Sequence, residues 1–155
     1  MPSPGRFTRR SSGIDGAKAS YMCMECRAIG PVDRDGTAWL PNCAHAEERA
    51  VYFRSEAERN RGAELSLLQR QGMISGLECQ PKVDLKVNGV LVCTYTADFQ
   101  YREGKAHEVI IWEEVKPRGS KRDPDSWRKR DHAAAIKVDL FRALFPMQPL
   151  RIHLA

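Results

Sequence analysis

The sequence lacks any long apolar run. No stretch approaches the roughly 18 consecutive apolar residues of a membrane-spanning helix, so we expect no membrane partner. The basic start, MPSPGRFTRRSSG, is not followed by an apolar segment, which argues against a secretory signal. We therefore expect a cytoplasmic, reducing environment, where the five cysteines do not build a disulfide framework.

Internal repeats are also lacking, and 155 residues suit one domain with a small appendage. The contents of hydrophobic (42%) and charged (29%) residues are usual for a soluble globular protein. The net charge of +5 favours acidic partners, of which nucleic acid is the commonest. Much of this charge lies in KPRGSKRDPDSWRKRD, residues 116–131, where seven basic residues accompany three aspartates. The simpler interpretation of this run is a solvated loop and helix start.

The chain divides into three segments by composition. Residues 1–20 are rich in Ser, Gly, Pro and Arg without periodicity, which predicts a flexible basic tail. Residues 21–46 are short, turn-rich and hold three cysteines and a histidine. Residues 47–155 carry the regular hydrophobic patterns and are expected to form the main domain.

The patterns predict an α/β fold. A first helix is expected from about Ala46 to Gln71, with Leu65 and Leu68 on one face, and a second from about Ser126 to Leu144. The run LRIHL, residues 150–154, predicts a last strand that returns through the second helix.

Three strands are predicted between these helices. KVDLKV alternates with period two and ends at the hairpin dipeptide Asn88-Gly89. VLVCTYTADFQY, residues 90–101, predicts the second strand, and HEVIIWEEVK, residues 107–116, the third. The apolar run of the third strand predicts burial on both of its faces.

Charged residues stand at the ends of the second and third strands. Alternation places Glu114 and Lys116 on one face, and pairing through a turn near Gly104 brings Asp98 close to Glu114. Two neighbouring carboxylates repel each other unless a cation or proton lies between them, and Mg²⁺ prefers oxygen ligands. Such an ion activates water for phosphodiester hydrolysis, with Lys116 as a nearby positive charge. The alternative is a surface cluster of acids paired with Lys116.

The cysteine-rich segment has the composition of a zinc site. Cys23 and Cys26 are two residues apart, the spacing of a zinc knuckle, and Cys43 and His45 would complete a tetrahedron. The Cys-x-His spacing is tighter than usual, and the alternative is free thiols packed as small apolar residues. Any such site would be structural, because this short segment cannot bury a core of its own.

Asp98 and the run Glu114-Val115-Lys116, which follow an acidic helix, resemble the PD-(D/E)XK nuclease superfamily. The predicted order of helix, three-stranded meander, helix and strand is that of its restriction-endonuclease-like core. Several segments are similar to small phage-encoded nucleases related to the phage endonuclease I type of Holliday junction resolvase: FRSEAE (53–58), LLQRQGMISGLECQPK (67–82), YTADF (95–99), WEEVK (112–116) and AIKVDLFRALFP (135–146). The resemblance covers about residues 51–155.

The resemblance implies a metal-dependent endonuclease. Glu58, the last residue of a Ser-x-x-Glu match at 55–58, would join Asp98 and Glu114 in holding one or two Mg²⁺ ions, for which Mn²⁺ is expected to substitute. Glu64 competes with Glu58, because periodicity alone does not separate them. The Val115 carbonyl is a further expected ligand, and Lys116 is expected to assist the hydrolytic water.

The implied partner is DNA, with branched or structured DNA as the substrate and a homodimer as the active form. A phage-encoded enzyme would act in the cytoplasm of a bacterial host. The expected DNA contacts come partly from the resemblance and partly from the basic run: Gln80, Arg118, Lys121, Arg122, Arg128, Lys129, Arg130 and Lys137. The alternative for Gln80 is a turn-capping residue, and for Lys137 a solvated helix face.

Two alternatives stay open from the sequence. One is a nicking or restriction-like nuclease that acts on ordinary duplex DNA. The other is a zinc-ribbon nucleic-acid-binding module whose nuclease fold has lost activity, although the presence of all four catalytic-type residues argues against it.

Overall fold

The fold is described from a computed structural model that covers residues 19–31, 40, 43–45, 49–120 and 122–155. It divides into two compact units, Met1–Ser66 and Leu67–Ala155. Most of the predicted tail, residues 1–18, and Lys121 lie outside the described residues. In the described part, no helix has both the length and the apolar character needed to cross a bilayer.

The described part of the first unit contains a three-stranded antiparallel sheet. Its strands are β1 (Ser20–Cys23), β2 (Ile29–Pro31) and β3 (Ala50–Phe53), with β1 in the centre. Helix α1 (Glu56–Arg70) follows, and the boundary between the units falls within it.

The predicted start of the first helix near Ala46 is wrong. Residues 50–53 form strand β3 instead, in which Phe53 pairs with Ser20 and Ala50 with Cys23. Val51, Tyr52 and Phe53 favour the extended conformation because they are β-branched or aromatic. The helix begins only after Ser55, whose hydroxyl accepts a hydrogen bond from the backbone N–H of Glu58 at 3.2 Å.

The second unit contains a four-stranded sheet, a separate hairpin and two helices. Its elements are β4 (Ser75–Cys79), β5 (Lys82–Val87), β6 (Val90–Thr96), β7 (Phe99–Glu103), β8 (Val109–Lys116), α2 (Trp127–Arg130), α3 (His132–Leu144) and β9 (Leu150–Leu154). The sheet has the order β4-β7-β8-β9, in which β8 and β9 are parallel and the other pairs antiparallel. The chain is therefore of mixed α/β class, as predicted.

The hairpin at Asn88-Gly89 is confirmed, but the predicted second strand is two strands. β6 pairs only with β5, whereas β7 pairs with β4 and β8. The change of partner occurs at Ala97, whose N–H donates to Pro81 O at 3.1 Å, and Asp98, whose N–H donates to Glu113 O at 3.1 Å. The three predicted strands therefore do not form one continuous meander.

Strand β4 was not predicted. Gly72, with a φ of 71°, follows α1 as expected, but Gly76 lies within β4 with a φ of 61°. The pairing of β4 with β7 shifts register between Ser75 and Glu78, which is the irregularity that a glycine in this conformation permits.

The predicted second helix is divided at Asp131. This residue leaves the helical conformation, with a φ of −127° and a ψ of 75°, and its side chain accepts a hydrogen bond from Ala134 N at 3.0 Å. Asp131 is thus the N-cap of α3. Aspartate is favoured at this position and disfavoured inside a helix.

The core of the second unit lies between the sheet, the hairpin and α3. Its buried members come from these three, from α2 and from the link between β6 and β7: Leu85, Tyr95, Ala97, Trp112, Trp127, Ala135, Val138, Phe141 and Leu150. Residues 111–115 of β8 are buried throughout, so the predicted burial of both faces is confirmed. Two acidic residues, Glu113 and Glu114, are therefore held in a buried strand.

Candidate functional site

Asp98 is attached to the end of β8 through both its backbone and its side chain. Its N–H donates to Glu113 O at 3.1 Å, and its Oδ2 accepts from Val115 N at 2.7 Å. The antiparallel pairing of Phe99 with Glu113 sets this position, because Asp98 directly precedes β7. The carboxylate therefore extends the hydrogen-bond ladder past the end of β7.

Glu114 and Lys116 lie on one face of β8, as alternation predicts. The Nζ of Lys116 is 3.1 Å from Glu114 Oε2, and the two side chains are 16% and 7% exposed. The other oxygen, Oε1, accepts a hydrogen bond from the Tyr95 hydroxyl at 2.6 Å. Glu114 is thus a buried carboxylate with a cation on one oxygen and a hydroxyl donor on the other, and hydrogen bonds to charged groups are the stronger ones.

Tyr95 was not among the residues expected at the site. Burial raises its pKa far above the ordinary value, and the negative charge of Glu114 adds to this effect. The hydroxyl therefore remains protonated and donates to Glu114 at every physiological pH. Its strand phase indicates burial, because Tyr95 lies on the same face of the hairpin as Cys93 and Leu85, and a buried hydroxyl needs a partner.

The opposite face of β8 holds a second buried carboxylate. Glu113 Oε2 accepts a hydrogen bond from the Tyr101 hydroxyl at 2.6 Å, and both residues are only 1% exposed. Burial and this bond raise the pKa of Tyr101 to about 12. Glu113 and Glu114 therefore point to different sides of the sheet, each with its own tyrosine.

The main chain also contributes to the end of β8. The N–H and C=O of one strand residue point to the same side, so the Val115 carbonyl is directed towards the Asp98 side. Gln80 adopts a left-handed conformation with a φ of 55°, and its N–H donates to Asp98 O at 2.9 Å. The backbone N–H groups of Gln80 and Val115 are therefore both bonded to Asp98.

Glu58 belongs to the first unit, in the first turn of α1. Its Oε2 accepts from Arg54 N at 3.2 Å, while its N–H donates to the Ser55 hydroxyl. Ser55 therefore caps the helix, and Glu58 reaches back to the N–H of the residue before the cap, an arrangement that resembles a capping box. Its competitor Glu64 pairs with Arg61 at 2.9 Å on an exposed part of the helix.

The basic run after β8 is largely paired within the chain. Arg128 forms an ion pair with Asp139, Lys129 Nζ is 2.6 Å from Asp123 Oδ2, and Arg130 donates to Ser126 Oγ at 3.4 Å. Hydrogen bonding to Asp123 raises the pKa of Lys129. Lys129 and Arg130 are exposed and Arg128 is about one-third exposed, so a phosphate would compete with their present partners for them.

The other expected DNA contacts are distributed around the second unit. Arg118 donates to Leu154 O at 3.3 Å, and Lys137 on α3 donates to Thr94 O at 3.4 Å. Arg122 is exposed. Lys137 therefore lies beside Thr94 of β6, the residue before Tyr95.

The predicted Cys/His cluster is assembled in the first unit. The ligand atoms of Cys23, Cys26, Cys43 and His45 all lie within 4.8 Å of one another. Cys26 Sγ is 3.6 Å from Cys43 Sγ, which is 3.8 Å from His45 Nδ1. Three sulfurs and one imidazole nitrogen at this separation could hold one metal ion such as zinc.

A tight turn after β1 builds the first half of this cluster. Arg27, with a φ of 62°, donates its N–H to Cys23 O at 2.8 Å, and Cys23 N–H donates to Ala28 O at 2.9 Å. Burial opposes ionisation of Cys23, but hydrogen bonds from the backbone of Cys26 and Glu25 outweigh it and lower the pKa of this thiol. The turn thus stabilises a thiolate, the form that binds metals.

The remaining thiols have different surroundings. Partial burial and the neighbouring thiols raise the pKa of Cys43 to about 11, so its proton is one that a metal ion would displace. Burial raises the pKa of Cys79 to about 12. Cys79 and Cys93 are half-buried in the second unit, and Cys93 packs against its core.

No protein-family model, curated protein or solved structure matches the chain.

Proposed function

We propose that the chain is a Mg²⁺-dependent DNA endonuclease with a PD-(D/E)XK-type site. The observation that carries this proposal is the arrangement of Asp98, Glu114 and Lys116 at the end of β8, where a buried carboxylate pairs with a lysine two residues later. The resemblance noted in the sequence supplies the reaction class, and the mixed α/β fold is compatible with it.

The donor set fits a hard divalent cation. Asp98 and Glu114 offer carboxylate oxygens and Val115 a carbonyl oxygen, which are the ligands that Mg²⁺ takes in proteins. Each carboxylate oxygen has about two acceptor sites, so the bond from Tyr95 leaves acceptor capacity on Glu114. A bound Mg²⁺ would supply an activated water and positive charge for phosphodiester hydrolysis.

The protein's own groups then have distinct tasks. Tyr95 fixes the Glu114 carboxylate, and Val115 N–H fixes that of Asp98. Lys116 carries positive charge to the place where the phosphate would lie, and it orients the attacking water. Glu58 as a third acidic ligand remains a prediction that rests on the resemblance.

The proposed substrate is branched or structured DNA, cut by a homodimer in which two sites face symmetric strands. The test is cleavage of a four-way junction beside a linear duplex of the same sequence, with Mg²⁺, Mn²⁺ or EDTA. Metal-dependent cleavage of the junction supports the proposal, and sedimentation of the free protein tests the dimer. Equal cleavage of both substrates would favour the duplex nuclease instead.

A second candidate follows from the Cys/His cluster. With zinc bound by Cys23, Cys26, Cys43 and His45, the first unit would be a nucleic-acid-binding module. A protein that binds DNA tightly yet cleaves neither substrate with either metal would contradict the nuclease proposal and favour this module.

A further inference from the structure

Trp127 lies beside the cationic end of Lys116. The Lys116 Nζ is 5.4 Å from the centroid of the Trp127 ring, within the range of about 6 Å over which a cation is attracted to an aromatic face. The same ammonium is 3.1 Å from Glu114 Oε2. Lys116 therefore has two partners within the second unit, a carboxylate and an indole ring.

Core packing alone does not explain a tryptophan at this position. Trp127 is 2% exposed, and its Nε1 has no hydrogen-bond acceptor in the part of the chain that the structure describes. Trp112 in the same core cluster, by contrast, donates its Nε1 to Gln148 Oε1 at 2.9 Å. Phenylalanine or leucine would fill the position of Trp127 without an unpaired buried donor.

The indole ring differs from phenylalanine and leucine in how strongly it attracts a cation. Its face attracts a cation more strongly than that of phenylalanine, and an aliphatic side chain has no such face. Arg128 also lies near the ring, with its guanidinium carbon 5.5 Å from the centroid. The position of Trp127 is thus one where two cations meet an aromatic surface.

A closed turn holds α2, and with it Trp127, at the end of β8. A Cβ atom on Gly119 would lie 2.1 Å from Asp123 O and 2.5 Å from Ser126 Oγ, so only glycine fits against this segment. Asp123 N–H donates to Ser120 O at 3.1 Å, and Ser126 N–H donates to Asp123 O at 3.3 Å. The ring is therefore placed by a turn of defined geometry.

We propose that Trp127 is a positioning residue for Lys116 and holds the ammonium beside Glu114. The catalytic consequence rests on the proposed nuclease function, whereas the contact itself does not. Trp127 acts through Lys116, because its buried ring does not reach the substrate. Removing the ring takes away one of the two partners of a flexible side chain, so the ammonium spends less time in place.

NMR spectroscopy of the full chain without DNA tests the contact. Protons above an aromatic ring are shifted upfield by its ring current, so we expect the Hε signals of Lys116, assigned with Lys116→Arg, to lie upfield of other lysines. Trp127→Leu should abolish this shift and Trp127→Phe should retain part of it. Gly119→Ala, which leaves the indole intact but displaces the turn, should also reduce it. Ordinary Hε shifts in the native protein would overturn the proposal, whatever its activity.

Kinetics then test the consequence. Trp127→Leu should lower kcat about 5- to 30-fold with little change in KM, and Trp127→Phe should recover much of it. Val138→Ala, a change at another fully buried position of the same cluster, controls for destabilisation and should leave kcat unchanged. Equal losses in Trp127→Leu and Val138→Ala would overturn the positioning role. If the native protein cleaves no DNA, the nuclease proposal fails, and the NMR result still decides the contact.

Discussion

The side chain of Asp98 replaces a main-chain acceptor for Val115: its Oδ2 lies 2.7 Å from Val115 N, at the point where β7 no longer accompanies β8. The same carboxylate that is proposed to bind the metal ion therefore also completes the hydrogen bonding of a buried strand. Two substitutions of Asp98 can separate its hydrogen bond to Val115 from its proposed role as a metal ligand.

Asp98→Asn keeps an oxygen acceptor for Val115 N–H, whereas Asp98→Ala leaves this donor without it. We expect both variants to lose cleavage, but only Asp98→Ala to lose stability, by about 1–3 kcal/mol. DNA binding should be unchanged or tighter in both, because a negative charge that repels phosphate is gone. Denaturant unfolding, DNA-binding and cleavage assays measure the three effects. Glu114→Ala tests the loss of cleavage at a second position. Near-normal cleavage by any of these proteins would contradict the proposed site.

The Cys/His cluster is expected to bind zinc. Protein purified without chelator should carry about one zinc per chain, because three sulfurs and one imidazole nitrogen lie within 4.8 Å of one another. Cys26→Ser should lose the metal and destabilise the strands of the first unit, whereas Cys93→Ser, outside the cluster, should keep it. Metal analysis by mass spectrometry measures the content, and a zinc-free native protein would refute the site.

The basic helix α2 should contribute to DNA affinity. A plot of log affinity against log salt concentration has a slope of roughly −0.9 for each phosphate contact. Joint replacement of Arg128, Lys129 and Arg130 by glutamine should therefore flatten this slope by up to about three units. The ion pairs with Asp139 and Asp123 should reduce this effect, because phosphate must displace them. Junction affinity at several salt concentrations measures the slope.

A control of equal charge is available on the hairpin and the turn after β7. Replacing the exposed Lys82, Lys86 and Lys105 by glutamine removes the same three charges at sites without a proposed DNA contact. The slope of this control should stay close to the native one. Identical slopes for both triple variants would mean that α2 is only a charged surface.

Stability at alkaline pH should depend on Tyr101. Its folded-state pKa is raised from 10.0 to about 12, so the folded protein retains a proton that the unfolded chain has lost between these values. The contribution of Tyr101 is complete below pH 10 and declines as pH rises towards 12, by about 2–3 kcal/mol in total. Tyr101→Phe should be less stable at neutral pH, because Glu113 loses a donor, yet show a shallower decline. Urea unfolding between pH 8 and about 11.5 compares the two proteins; parallel curves would contradict this linkage.

Local sequence signals were sufficient to predict some of the strands and the four residues of the Cys/His cluster. Alternation placed Glu114 and Lys116 on one face, and the Asn88-Gly89 dipeptide located a hairpin. The division of residues 90–101 into β6 and β7 was not predictable, because both halves are β-branched or aromatic and the change of partner is decided by pairing far along the chain. Strand alternation marks Tyr95 as buried, but its bond to Glu114 and the contact of Trp127 with Lys116 become evident only in the folded structure.

The parallel pairing of β8 with β9 also has a consequence for biosynthesis. The ribosome releases Asp98, Glu114 and Lys116 before residues 150–154, which lie beyond the 117–149 connection. Until then β8 is an edge strand, and the carbonyl of Lys116 lacks the N–H of Ala155 that it accepts at 3.0 Å. A nascent or stalled chain therefore carries Asp98, Glu114 and Lys116 beside an unpaired strand edge, which only the later emergence of residues 150–154 covers.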